Sequence, residues 1–473
     1  MKETILEIKD LSVGFRMYER GLKQHELNII KKMNLTIHEG EFLAIVGASG
    51  SGKSVLAHAA LGLLPPNAVE GGEMYFCGRR LDKKLRREKV GTEMIMIPQS
   101  LTYLDPLMKI GKQVRGVHGS VEKQKEVFRR YGLKESVAKL YPFQLSGGMA
   151  RRALIATAVI TDAKLILADE PTPGLSEDLA LETMNHFRDL SKSGCAILMI
   201  THDIELAQKY ADTIAVFKDG EIVDVCASED FRKGAEGLSH PYTKALWEAL
   251  PKNTFFESVI PKKKKECERT VLLEGRNIGF RYGKGDWILR NVNISIRRGE
   301  VAGLVGPSGR GKSTLARVLA GYENPDEGVV RWKGRELPKK GYDPIQMIYQ
   351  HPEKALNPRW RLKQSLEEGW VANDELLERL CIRKELWSDR WPNELSGGEL
   401  QRFCVARVLG PKTEFIIADE MSTMLDAITQ MQIWKVLMEE VRRRELGMLV
   451  ITHNMDLAAA LCDRIIDLSK MGN

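Results

Sequence analysis

Five short stretches occur in the same order in both halves of this 473-residue chain, and no other feature limits its possible folds so sharply. They are "GASGSGKS" at 47–54 with "GPSGRGKS" at 306–313, Gln99 with Gln350, "LSGGM" at 145–149 with "LSGGE" at 395–399, "LILADE" at 165–170 with "FIIADE" at 415–420, and "MITHD" at 199–203 with "VITHN" at 450–454. A shared order of this kind is the mark of duplication. The spacing is shared too, except that the second copy is shorter between its glycine loop and its glutamine.

Each glycine loop follows an apolar run that reads as a buried strand ("FLAIV", "VAGLV") and opens a helical pattern ("VLAHAALGLL", "TLARVLAGY"). Strand, loop and helix in that order are the context a phosphate-binding loop requires. The other motifs are apolar strands ending in polar residues, which predicts α/β domains whose parallel sheets present ligands at their carboxyl edge. The length exceeds one ordinary core and agrees with two domains. No apolar run approaches the roughly 20 residues that cross a bilayer, and "MKETILEIKD" lacks the apolar stretch of a signal peptide, so a soluble cytosolic chain is expected.

Seven cysteines, at 77, 195, 226, 267, 381, 404 and 462, include no Cys-x-x-Cys pair. They read as reduced, mostly buried thiols rather than a disulfide framework or a zinc site. The net charge of +7 has its most local source in "PKKKKECER" at 261–269. That run reads as a solvated linker, since no aromatic residues interleave with the lysines to form a nucleic-acid stacking surface.

In G-x-x-x-x-G-K-S the backbone N–H groups wrap a phosphate, the lysine neutralises the β and γ oxygens, and the serine holds Mg²⁺. The candidate nucleotide-binding residues are Gly47, Ser49, Gly50, Gly52, Lys53 and Ser54 in the first copy, and Gly306, Ser308, Gly309, Gly311, Lys312, Ser313 and Thr314 in the second. Asp169 and Asp419 supply a metal-side carboxylate, and Glu170 and Glu420 a base that polarises attacking water. Ser146, Gly147 and Gly148, and Ser396, Gly397 and Gly398, each stand at a predicted helix N-terminus. That position is an anion site or, more plainly, a helix cap beside a turn.

The ordered motif set resembles the ATP-binding-cassette (ABC) ATPases over nearly the whole chain. The resemblance implies two P-loop NTPase domains, each with a RecA-like parallel-sheet core, an antiparallel β subdomain and a helical subdomain. It places them at 1–253 and 270–473, with a lysine-rich linker at 254–269. It further implies that the cassettes pair head to tail within the chain, each ATP lying between the glycine loop of one and the LSGG of the other. Site one then comprises Lys53, Ser54, Gln99, Asp169, Glu170 and His202 with Ser396 and Gly398 opposite. Site two comprises Lys312, Ser313, Gln350, Asp419, Glu420 and His453 with Ser146 and Gly148. In the family the histidine contacts the γ-phosphate and the glutamine reaches the metal and the attacking water. Phe15 and Tyr282 fall where the family stacks an aromatic ring on adenine, although Phe15 reads equally as core.

Three further stretches, "LDPLMKIGKQV" at 104–114, "HPEKALNPRW" at 351–360 and "SHPYTKALWEALP" at 239–251, resemble the dipeptide, oligopeptide and nickel importer branch. The implied protein is a peripheral ATPase on the cytoplasmic face of the membrane, using ATP and Mg²⁺. Its implied partners are two transmembrane permeases and an extracytoplasmic binding protein, with no nucleic acid. The alternative is a soluble double-cassette ATPase acting on ribosomes or nucleic acid, which usually carries a long charged helical arm between cassettes; the segment 254–269 is too short for one. Three departures stand out. No cysteine-rich cluster stretch follows "HPYT", Arg151 replaces the family's usual glutamine, kept as Gln401 in the second copy, and Ser176 in "ADEPTPGLS" stands where "ADEMSTMLD" has Asp426. The resemblance places Ser176 in a loop that reaches the opposite site, built on Lys312, and so predicts two ATP sites of unequal quality.

Overall fold

The computed structural model describes residues 2–18, 24–48, 50–116, 119–173, 175–253, 256, 258, 260, 270–307, 309–337, 341–423 and 425–471. The chain divides into two units, Met1–Trp247 and Glu248–Asn473.

In the first unit the long strands β1 (Thr4–Tyr18) and β2 (Gln24–His38) pair antiparallel, and with β4 (Ala68–Phe76) and β5 (Arg79–Arg80) they form a sheet of order β2-β1-β4-β5. The second sheet contains β3 (Phe42–Gly47), β6 (Met94–Ile97), β7 (Leu165–Asp169), β8 (Ala196–Ile200), β9 (Thr213–Lys218) and β10 (Glu221–Ala227) in the order β10-β9-β3-β8-β7-β6. It is parallel except for β10, which runs antiparallel to β9. Every residue of β3, β7 and β8 is buried. That is why these strands read as continuous apolar runs rather than alternating ones: both faces of a parallel sheet are covered. Ile8 and Ile37 of the antiparallel sheet pack in one core with Leu43, Leu56, Leu167 and Leu198. The helices Ile110–Arg115, Val121–Arg130 and Gly147–Val159 form a subdomain with a core of its own around Ile110, Val114, Phe128 and Leu154.

The second unit repeats the plan. Strands β11 (Val271–Phe280), β12 (Leu289–Arg297), β14 (Glu327–Trp332) and β15 (Arg335–Glu336) form the antiparallel sheet, in the order β12-β11-β14-β15. Strands β13 (Val301–Val305), β16 (Ile345–Ile348), β17 (Phe415–Asp419), β18 (Gly447–Ile451) and β19 (Arg464–Asp467) form a parallel sheet, in the order β16-β17-β18-β13-β19. Its helical subdomain includes Leu362–Glu367, Asp374–Arg379 and Gly397–Val408. Most of the shorter spacing of the second copy lies between its sheets. A helix, Lys83–Lys89, bridges β5 to β6, whereas the connection 337–344 from β15 to β16 has no helix among its described residues.

The "HPYT" stretch opens the helix Pro241–Glu248, pinned by the buried Thr243 hydroxyl, which donates to Asp224 Oδ2 at 2.6 Å. Phe256 and Ile260 are buried, and the lysine run 261–269 lies outside the described residues. Among the described cysteines Cys195, Cys404 and Cys462 are buried, Cys77 and Cys226 half-buried and Cys381 exposed. Among the described residues no helix is long and apolar enough to cross a membrane.

Candidate functional site

In each unit the strand order brings the motifs to one sheet edge. The glycine loop leaves β3, His202 follows the neighbouring β8, Asp169 ends β7 beyond it, and Gln99 follows the edge strand β6. The second unit does the same with β13, β17, β18 and β16, so the motif residues of each half gather at the carboxyl edge of one parallel sheet.

The loops turn into their helices through left-handed glycines, Gly50 and Gly52 at φ +75° and +102°, Gly309 and Gly311 at φ +77° and +90°. A Cβ on Gly52 would stand 2.4 Å from Ile29 Cγ2 and one on Gly311 would stand 2.9 Å from Ile288 Cγ2, so both sterics and backbone demand glycine. The following helices, Lys53–Leu61 and Lys312–Leu319, have no side-chain cap, which leaves their first-turn N–H groups to an anion. Lys53 and Lys312 are buried. Lys53 Nζ donates to the Gly47 and Ala48 carbonyls at 3.0 and 2.7 Å, and Lys312 Nζ to those of Gly306 and Pro307 at 2.7 and 3.0 Å. Ser49 and Ser308 lie outside the described residues.

The Ser54 hydroxyl donates to Asp169 Oδ1 at 3.1 Å, and that of Ser313 to Asp419 Oδ1 at 3.0 Å. Burial pushes both aspartate carboxyls above the ordinary range, and the serine hydroxyls oppose it. A convergent hydroxyl and carboxylate, all hard oxygen donors, fit Mg²⁺.

Glu170 and Glu420 both sit at φ +46°, in the left-handed region where a non-glycine residue costs ~1–3 kcal/mol. Strand pairing holds them there: Glu170 N–H donates to Ile200 O at 2.9 Å and Glu420 N–H to Ile451 O at 3.0 Å. Glu170 Oε1 accepts the His202 backbone N–H at 3.0 Å and lies 2.7 Å from His202 Nδ1, and the Thr201 hydroxyl donates to Oε2 at 3.4 Å. In the second unit Gln350 Nε2 donates to Glu420 Oε2 at 3.3 Å, and His453 Nδ1 is 3.7 Å from Oε1. The His453 contact holds the Glu420 carboxyl below the usual carboxylate range, against burial.

The signature serines cap their helices. Ser146 Oγ accepts the Met149 N–H at 3.4 Å, and Ser396 Oγ accepts that of Glu399 at 3.3 Å. In the second unit Glu399 also takes the Ser396 N–H at 2.8 Å, completing a capping box. The cap reading therefore holds within each unit. A Cβ on Gly147 or Gly397 would meet nothing within 4 Å, so these glycine backbones face open space; Gly148 and Gly398 follow in the first turn of each helix. Tyr282 is half exposed and meets Phe280 edge-on at 4.9 Å, whereas Phe15 is partly buried against the first unit's core.

Thr201 carries no motif signal of its own, yet its hydroxyl reaches Glu170. Arg151, a departure from the family pattern in sequence, is a buried hub of backbone contacts.

The ABC transporter family profile matches residues 30–173 and 289–423. The chain is 32% identical to the uncharacterized ABC transporter ATP-binding protein YejF of Escherichia coli strain K12, over 99% of this chain and 95% of that protein. It is 30% identical to the peptidoglycan transport ATP-binding protein YejF of Agrobacterium fabrum, covering 98% and 92%. To the glutathione import ATP-binding protein GsiA of Escherichia coli O1:K1 it is 28% identical, covering 98% and 84%. The solved structure of RNase-L Inhibitor superposes with a TM-score of 0.66 over 97% of this chain and 87% of that one, at 24% identity, a likeness of fold alone. With the profile matching both halves and relatives aligned end to end, the chain belongs to the ABC transporter family, as an ATPase of two tandem cassettes.

Proposed function

We propose that this protein is the ATP-hydrolysing subunit of an importer for peptide-class solutes. The observation that carries the reading is the doubled constellation itself: a phosphate loop, a serine–aspartate pair and a glutamate beside a histidine gather at one sheet edge in each unit. Relatives named for peptidoglycan transport and glutathione import favour peptide-class substrates over nickel or a chelated metal.

In this reading Lys53 and Lys312 leave their loop carbonyls for the β and γ oxygens of ATP, and Tyr282 and Phe15 stack on adenine. Ser54 with Asp169, and Ser313 with Asp419, hold Mg²⁺, which when bound screens the phosphate charge; Gln99 and Gln350 approach the same position. Glu170 and Glu420 orient a water, and His202 and His453 hold those carboxylates and face the γ-phosphate. Ser146, Gly147 and Gly148, with Ser396, Gly397 and Gly398, close the opposite cassette's site. Cassettes at 1–253 and 270–473, joined by a linker at 254–269, supply both halves of each site within one chain. Closure on ATP and opening after hydrolysis are passed to two permease subunits on the cytoplasmic face of the membrane, with an extracytoplasmic binding protein delivering the solute.

Co-purification with the permeases and assay in vesicles test this. Peptide-loaded binding protein should raise ATPase activity and drive peptide uptake. Sedimentation with ribosomes and no response to the binding protein would refute it in favour of the ribosomal reading.

A further inference from the structure

Arg151 is 3% exposed, on the helix Gly147–Val159. Its guanidinium donates to four backbone carbonyls: Nη1 to Pro98 at 2.7 Å and Gln99 at 3.0 Å, Nε to Pro171 at 3.1 Å, and Nη2 to Glu170. These carbonyls belong to two separate segments, one leaving β6 with Gln99 and one leaving β7 with Glu170. A planar fork of five N–H donors and no acceptor suits a pocket walled by carbonyls alone. Burial weighs against its charge, and the nearby Asp169 and Glu170 carboxylates offset that cost in part. One of the four carbonyls is that of Glu170 itself, the residue held at φ +46°.

The matching helix position of the second cassette carries Gln401. It is 1% exposed and donates once, to Tyr349 O at 3.3 Å, and among the described residues its Oε1 has no partner. There the Gln350 side chain lies on Glu420 at 3.3 Å, whereas among the described residues Gln99 makes no such bond to Glu170.

We propose that Arg151 is a positioning residue of the first cassette. It clamps the Gln99 segment to the Glu170 segment and holds the glutamine off the base, a device the second cassette lacks. The functional half of this proposal rests on the site reading above, so the test reads the clamp and the chemistry separately.

Amide exchange on the full wild-type chain needs no variant. Gln99 and Ser100 should exchange about tenfold more slowly than Gln350 and His351. Arg151→Gln, which copies the second cassette's residue, should raise exchange at Gln99, Ser100, Glu170 and Thr172 without raising it along the rest of 147–159. In a Glu420→Gln background it should lower kcat about tenfold, with KM for ATP changed less than about twofold. Arg151→Lys keeps the charge but not the fork, and should behave like Arg151→Gln. Equal exchange at the two wild-type segments, or full activity and protection in Arg151→Lys, overturns the clamp. A loosened Gln99 segment with kcat unmoved overturns the proposed role of that segment in hydrolysis.

Discussion

Glu170 takes the backbone N–H of His202 at 3.0 Å and lies 2.7 Å from its Nδ1, whereas the copy of this pair, Glu420 and His453, stands 3.7 Å apart. His202 is also the more enclosed, with 21% of its side chain exposed against 61% for His453. Glu170 is therefore held by its histidine at hydrogen-bond distance, whereas Glu420 is held by Gln350 with its histidine farther off. His202→Ala should lower ATPase activity by at least about tenfold, and His453→Ala by less, because an oriented base contributes through positioning. Steady-state hydrolysis by the two variants measures the difference; equal losses would contradict it.

Ser176 and Asp426 occupy matching positions at the start of the helices Glu177–Lys192 and Ala427–Arg444. Asp426 is buried and accepts the Thr429 N–H at 3.0 Å, while Ser176 makes no side-chain cap bond. Loss of a cap costs ~1 kcal/mol. Asp426→Ala should lower the stability of the second cassette by at least that much, and Ser176→Asp should raise that of the first by up to ~1 kcal/mol, read from urea midpoints.

His186, on the same helix as Ser176's cap position, joins the core to the helical subdomain. Its Nε2 is 2.6 Å from Arg130 Nη1 and its Nδ1 2.6 Å from the Tyr131 hydroxyl. A guanidinium only donates, so Nε2 must accept and Nδ1 carries the proton, which makes the neutral ring the fitted one. Burial, with Arg130 adding to it and Asp189 opposing, pushes the His186 pKa down to about 4. The unfolded chain then binds one more proton than the folded one between about pH 4 and 6.5, so stability falls as pH falls through that window. We expect the first cassette to lose about 2 kcal/mol from this group between pH 7 and 5, and His186→Gln to flatten the slope. Urea titrations at the two pH values check it, and an unchanged slope in the variant would contradict it.

Much of the site was legible because its signals are local. "FLAIV", "LILAD" and "GMLVI" are buried strands because both sheet faces are covered, and the polar residue after each lands on one edge as a consequence of parallel pairing. Arg151 was legible only as an oddity, since its four acceptors come from positions 98, 99, 170 and 171 and meet only in the fold. The left-handed backbone of Glu170 and Glu420 has no sequence signal, because glutamate does not favour it and strand pairing imposes it. Ser176 drew attention for a proposed effect on the opposite site, yet its nearest consequence is the missing cap on its own helix, where serine and aspartate are both good formers and only geometry separates them.

We expect both cassettes to hydrolyse ATP, unequally, with the site built on Lys53 the stronger. Comparing ATPase rates of Glu170→Gln and Glu420→Gln tests it most directly. Glu170→Gln should remove most of the activity, whereas Glu420→Gln should leave the larger share. Retention of most activity in Glu170→Gln, with its loss in Glu420→Gln, would contradict it.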